Sequence, residues 1–272
     1  MGEPTPVHFF DLMSDLTGPF KSWSANTIRI RMVLNYKNIP YTESYISYPD
    51  IGPLLSQLSV APHPPGLPPA AYTLPAIRHP SVMTNPEGAL MDSFPIALHL
   101  DRMFPSPSIF PSGNASYALA LAVARLMSNV TTKGLTLLAP GIANILDPRG
   151  EEYFTRTRSL RFGKPLQQVR PQSEEETQKI IADMKTEMRP LVQMLKGQGD
   201  KSGPYFEGEK PGFADFVLVG FLVWFEKVER ALWEELVPAG GGELKALWDA
   251  CLPWVTGKGE EKPWEVPRGG QI

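Results

Sequence analysis

The chain has 272 residues, 42 % of them hydrophobic and 20 % charged, with 26 basic against 29 acidic side chains and a net charge of −3. This composition supplies a sizeable core, excludes a disordered chain, and offers no basic stripe for nucleic acid. Its single cysteine, Cys251, excludes an internal disulfide and a cysteine-based metal site, so the chain reads as cytosolic.

Met1 to Pro6 is short and polar, unlike a signal peptide. Val7–Leu12 alternates weakly and reads as a strand. Thr27–Lys37 reads as a helix, with Ile30, Val33 and Leu34 on one face. Asn38-Ile39-Pro40 stops it, because proline restricts the residue before it. Tyr41–Tyr48 reads as a second strand, which completes a βαβ unit. Pro49–Ala71 has no clean period and reads as a long loop, functional or disordered. Thr73–Arg78 is a third strand. Asn85-Pro86-Glu87-Gly88 marks a turn, and Ala89–Met91 is a short fourth strand. Asp92 or Ser93 then caps a helix that runs to Met103.

Phe104–Asn114 (FPSPSIFPSGN) is rich in proline and reads as the boundary between two units, 1–105 and 113–272. Helices are predicted beyond it at 114–138, 151–163, 173–197, 213–235 and 243–252. Pro238 and Gly240-Gly241-Gly242 separate the last two. The longest apolar run, Phe216–Phe225, is too short to span a bilayer and suits a buried helix. The tail after Trp254 is polar and reads as partly ordered. The fold class is therefore α/β followed by all-α, the order of a thioredoxin-like domain and a helical bundle.

Trp23-Ser24-Ala25-Asn26-Thr27, followed by Arg29–Tyr41 (RIRMVLNYKNIPY), resembles the first helix of fungal glutathione transferases of the etherase-like, FuA type, relatives of the bacterial β-etherases. Tyr72-Thr73-Leu74-Pro75 is similar to the segment that holds the family's cis-proline. Asp92-Ser93 is similar to its acidic-residue–serine pair, and Gly212-Phe213-Ala214-Asp215 to its second-domain capping motif. The family usually has Ser or Thr where Gly212 stands. These marks fall in the family's order over most of the chain.

The resemblance implies a transferase that joins glutathione, its co-substrate, to small hydrophobic or aromatic electrophiles, in the manner of detoxification enzymes. It leaves aryl-ether cleavage open, and also a non-catalytic carrier of aromatic metabolites. Ser24 and Asn26 are the implied catalytic pair. A thiolate at a helix start meets free N–H groups and the positive end of the helix dipole, and a serine hydroxyl donates one more hydrogen bond. Serine is equally an ordinary N-cap, worth about 1 kcal/mol. Leu74 and Pro75 would pair with the cysteinyl backbone of glutathione, and Asp92 and Ser93 with its γ-glutamyl end. For the glycyl carboxylate only His63 and Lys37 stand as candidates. Phe20, Trp23 and Tyr72 are the first-domain candidates for the electrophile pocket. Arg125, Met127, Ser128 and Asn129 are the second-domain candidates. No metal, membrane or nucleic-acid partner is implied, and a homodimer is.

Overall fold

The computed structural model describes residues 6–18, 21–65, 70–199 and 201–267. β1 (Val7–Leu12) pairs in parallel with β2 (Tyr41–Ile46), and α1 (Ala25–Tyr36) connects them. β3 (Ala76–Arg78) runs antiparallel to β1, and β4 (Ala89–Met91) antiparallel to β3. Alternation along β1 sends Val7 and Phe9 to one face, against α1 and α3 (Ser93–Met103). Phe10 and Leu12 face the other way, onto α2 (Ile51–Gln57). The result is the expected thioredoxin-like domain.

The second unit is helical: α4 (Asn114–Ala143), α5 (Pro148–Phe162), α6 (Glu174–Lys196), α7 (Phe213–Val228), α8 (Arg230–Leu236) and α9 (Glu243–Val255). α7 is apolar nearly all round, as a helix inside a bundle must be. It also packs on α1. A Cβ on Gly220 would stand 2.6 Å from the carbonyl oxygen of Ala25, so glycine is required for this approach. The helix start that bears Ser24 is thereby clamped from below by the second unit.

Four elements differ from the sequence reading. α2 lies inside the predicted loop, and Pro53 had hidden it. Pro53 sits in the first helical turn, where its missing N–H would have no partner. α4 runs past Pro140 to Ala143, five residues beyond the predicted end. The predicted helix 213–235 breaks at Glu229, whose φ of −147° leaves the helical region; neither Pro nor Gly marks the break. Finally, the polar tail returns to the first domain. β5 (Glu260–Glu261) adds a parallel strand beside β2, and the sheet order becomes β4-β3-β1-β2-β5. Asn35 holds the approach to that strand by donating to the carbonyls of Trp254 and Thr256.

Candidate functional site

A cleft of about 970 Å³ opens between the two units. Ser24, Asn26 and Leu12 form its base. Tyr48, Pro49, Ile51 to Pro53 and Ala70 to Leu74 line the first-domain side, and Tyr153, Thr157, Arg158 and Arg161 of α5 face them.

Ser24 stands at the N-cap position of α1 with extended backbone (φ −72°, ψ 128°), yet its side chain makes no capping hydrogen bond. No acidic residue occupies the first turn. The first N–H groups of α1 therefore keep their positive end unneutralised beside an uncommitted hydroxyl. Asn26 is exposed toward the same cleft. Ser24 as a whole is buried and meets solvent only through the base of the cleft, where electrostatic interactions are stronger than in bulk water.

The Leu74–Pro75 peptide is cis, as the resemblance implies. Leu74 lines the cleft, and Pro75 lies just past its edge. Asp92 and Ser93 lie further along the same side. Thr73, a lining residue, donates to Asp92 at 3.4 Å. Asp92 holds a positive φ of 79°, a strained conformation outside glycine, and leaves the start of α3 without a side-chain cap. Ser93 accepts a hydrogen bond of 3.4 Å from Nη1 of Arg29, which leaves its own O–H free to donate. Arg29 is buried with no carboxylate partner among the described residues, and its Nη2 has no hydrogen bond. Its Nε donates back to Ala25 O, so the guanidinium lies along the first turns of α1. Burial lowers its pKa to about 10, which leaves it charged at neutral pH.

The candidates for the glycyl carboxylate are otherwise engaged. The ammonium of Lys37 meets Asp101 and the carbonyl of Pro107. His63 bonds Thr73 and stands 3.6 Å from Asp92. Among the electrophile candidates, Tyr72 lines the cleft. Trp23 is buried in the core below it, with its indole N–H unpaired. Arg125 and Ser128 point out from the exposed face of α4, Met127 is core, and Asn129 is half-buried. Phe20 lies outside the described residues.

The second-unit wall comes instead from α5, which sequence reasoning did not consider. Tyr153, Thr157 and Arg161 recur at four-residue spacing and so share one helical face. That period is legible; which unit it meets is not. Tyr48 packs against this wall, with its ring 6.4 Å from that of Tyr153 and 5.4 Å from that of Phe154. Burial pushes the Tyr48 phenol up to about 12, so it stays neutral. No cluster that could hold a metal ion occurs among the described residues.

Two family descriptions match the chain. "Glutathione S-transferase, N-terminal domain" covers residues 23–103, and "Glutathione S-transferase, C-terminal domain" covers residues 118–254. The chain is 55 % identical to "Glutathione S-transferase-like protein ustS" of Aspergillus flavus, over 98 % of this chain and 97 % of the relative. Among solved structures it is similar to a Ceriporiopsis subvermispora glutathione S-transferase in complex with glutathione. That likeness has a TM-score of 0.80 and 26 % identity over 92 % of this chain and 98 % of the other. It is also similar to glutathione transferase GSTFuA3 from Phanerochaete chrysosporium, with a TM-score of 0.77 and 25 % identity over 93 % and 98 % of the two chains.

Proposed function

The chain belongs to the glutathione S-transferase family, and from that premise we propose that Ser24 activates glutathione for attack on a small aromatic electrophile in this cleft. The observation that carries the reading is the uncommitted Ser24 hydroxyl at an uncapped, unneutralised helix start. Free glutathione has an ordinary thiol, mostly protonated at neutral pH. The N–H groups of α1, the Ser24 O–H and the nearby charge of Arg29 each favour the thiolate. The amide of Asn26 adds a donor at the same turn.

Glutathione lies with its cysteinyl backbone on Leu74 and its γ-glutamyl carboxylate on the Ser93 hydroxyl, backed by Arg29. Asp92 takes the ammonium. The thiolate adds to the electrophilic carbon, a C–S bond forms, and the leaving group departs with its electron pair. An aryloxide leaving group would make the same step an ether cleavage. The serine-type assignment, the etherase kinship, the detoxifying role and the cytosolic location all belong to this proposal, as do the unit limits 1–105 and 113–272. So does a two-fold dimer, supported by the exposed apolar Leu98 and Met103 on α3 and Leu121 on α4.

Ser24→Ala tests the reading directly. It is expected to lower kcat/KM about 10- to 100-fold on a chlorodinitrobenzene substrate, the loss of one donor to a developing or formed anion. The thiol pKa of bound glutathione, followed by thiolate absorbance, should rise with it. An unchanged rate and an unchanged thiol pKa would remove Ser24 from the mechanism.

A further inference from the structure

The two arginines on α5 carry a further inference, which rests on the cleft's being the transferase site. Arg158 and Arg161 are the only charged side chains among the described residues that line it. Neither arginine has a carboxylate partner among the described residues. Arg158 is instead held by ring faces: its guanidinium carbon lies 4.4 Å from the ring centre of Phe154 and 5.9 Å from that of Tyr48. Its Nη1 donates to Thr157 at 3.0 Å. The cation is thus positioned without being neutralised, half-buried, at the mouth of an aromatic wall. Arg161 is exposed and one turn further along the helix, so both side chains can reach one small anion.

We propose that this pair selects the second substrate: an aromatic electrophile that bears a carboxylate or comparable anionic group. The ring lies on the surface offered by Tyr48, Tyr72 and Tyr153, and its anionic substituent meets Arg158 and Arg161. The chemistry is otherwise unchanged. The thiolate of glutathione displaces the leaving group at the ring, and the thiol proton passes to solvent. A wall that recognised neutral electrophiles alone would place apolar side chains where the arginines stand, because two unpaired cations at a cleft are retained only at some electrostatic disadvantage. A second carboxylate is present in the ternary complex, the glycyl carboxylate of glutathione, and it has the same chemistry.

The experiment separates these sources, and separates both from catalysis. Dinitrobenzoate and dinitrobenzene, which have no leaving group, are titrated by calorimetry into the glutathione-saturated protein. The proteins are wild type, Arg158→Gln/Arg161→Gln and Ser24→Ala. Wild type and Ser24→Ala should both favour the benzoate, by about 10-fold or more at low salt, and less at high salt. The double glutamine variant should lose that preference, and Arg158→Lys/Arg161→Lys should restore part of it. In turnover, the kcat/KM ratio of chlorodinitrobenzoate to chlorodinitrobenzene should fall by a similar factor in the glutamine variant. Equal affinity of wild type for the two probes overturns the inference. So does a glutamine variant that keeps the benzoate preference while its KM for glutathione rises, since the arginines would then serve the glycyl carboxylate. Failure of the Ser24 mechanism would show in turnover alone and would leave the binding preference in place.

Discussion

Helix starts in the two units use the same residue types to opposite ends. In the second unit, Asp147 accepts from Gly150 N–H and Ser173 from Glu176 N–H, so both cap their helices in the ordinary way. At α7, Asp215 takes the N–H of Gly212 at 2.7 Å and of Phe206 at 2.9 Å, and so compensates for a glycine that has no acceptor of its own. In the first unit, Ser24 and Asp92 are equally able to cap and do neither. Their helices open, unsatisfied, at or beside the cleft. A helix end whose donors are satisfied by its own chain is architecture. One left open beside a cleft is a place for a ligand's negative charge.

Substitutions at these positions should split along that line. The largest effect on stability is expected at Asp215. Asp215→Ala strands two buried N–H groups and should destabilise by about 2–4 kcal/mol, read as a melting point lower by roughly 5–10 °C. Its KM for glutathione should stay near that of wild type, because Asp215 does not touch the cleft. Ser24→Ala should do the reverse. The rate falls as described above, while the melting point moves by less than about 1 °C, since no cap is lost. A drop of several degrees would make Ser24 a structural cap after all and collapse the contrast.

Ser93→Ala should raise KM for glutathione about 10-fold with little change in kcat, the signature of binding shared by ground and transition states. The smallest effect concerns acid. All four histidines, His8, His63, His79 and His99, belong to the first unit. His79 Nδ1 and His99 Nε2 stand 2.9 Å apart in its interior, and burial lowers both, His99 from 6.5 to about 4. At this pair the unfolded chain binds more protons than the folded one between about pH 4 and 6.5, so the pair's contribution to stability is lost as the pH falls through that window. His8, also lowered to about 4, acts in the same sense, and the carboxyl of Asp215, raised to about 7 by burial, in the opposite one. Thermal melts of wild type and His99→Gln at pH 7 and pH 5 should isolate the share of His99, the variant losing less stability than wild type on going to pH 5.

Features set by a few neighbouring residues were legible in the sequence. The βαβ unit follows from alternation, from a helical face and from Asn38-Ile39-Pro40. The family motifs lie within short windows, and the cis Leu74–Pro75 bond follows from the resemblance they carry; the capping expected of Ser24 and of Asp92 or Ser93 does not occur. α2 was lost because seven residues with a proline and a glycine leave too little period to see. β5 was lost because two glutamates in a polar tail carry no strand signal; their pairing exists only because Asn35 and β2 receive the tail.

The sequence by itself thus determined the two-unit organisation, the family, and the candidates that would outline glutathione, because local geometry and short motifs encode them. Tertiary structure decided the rest. That the helix start bearing Ser24 rests against the second unit depends on how closely α7 approaches Ala25 at Gly220. That α5 rather than α4 supplies the far wall depends on the rotation and crossing of packed helices, to which contacts from the whole bundle contribute. Arg125 and Arg158 look alike as letters on amphipathic helices. Only the packing turns one to solvent and the other into the cleft.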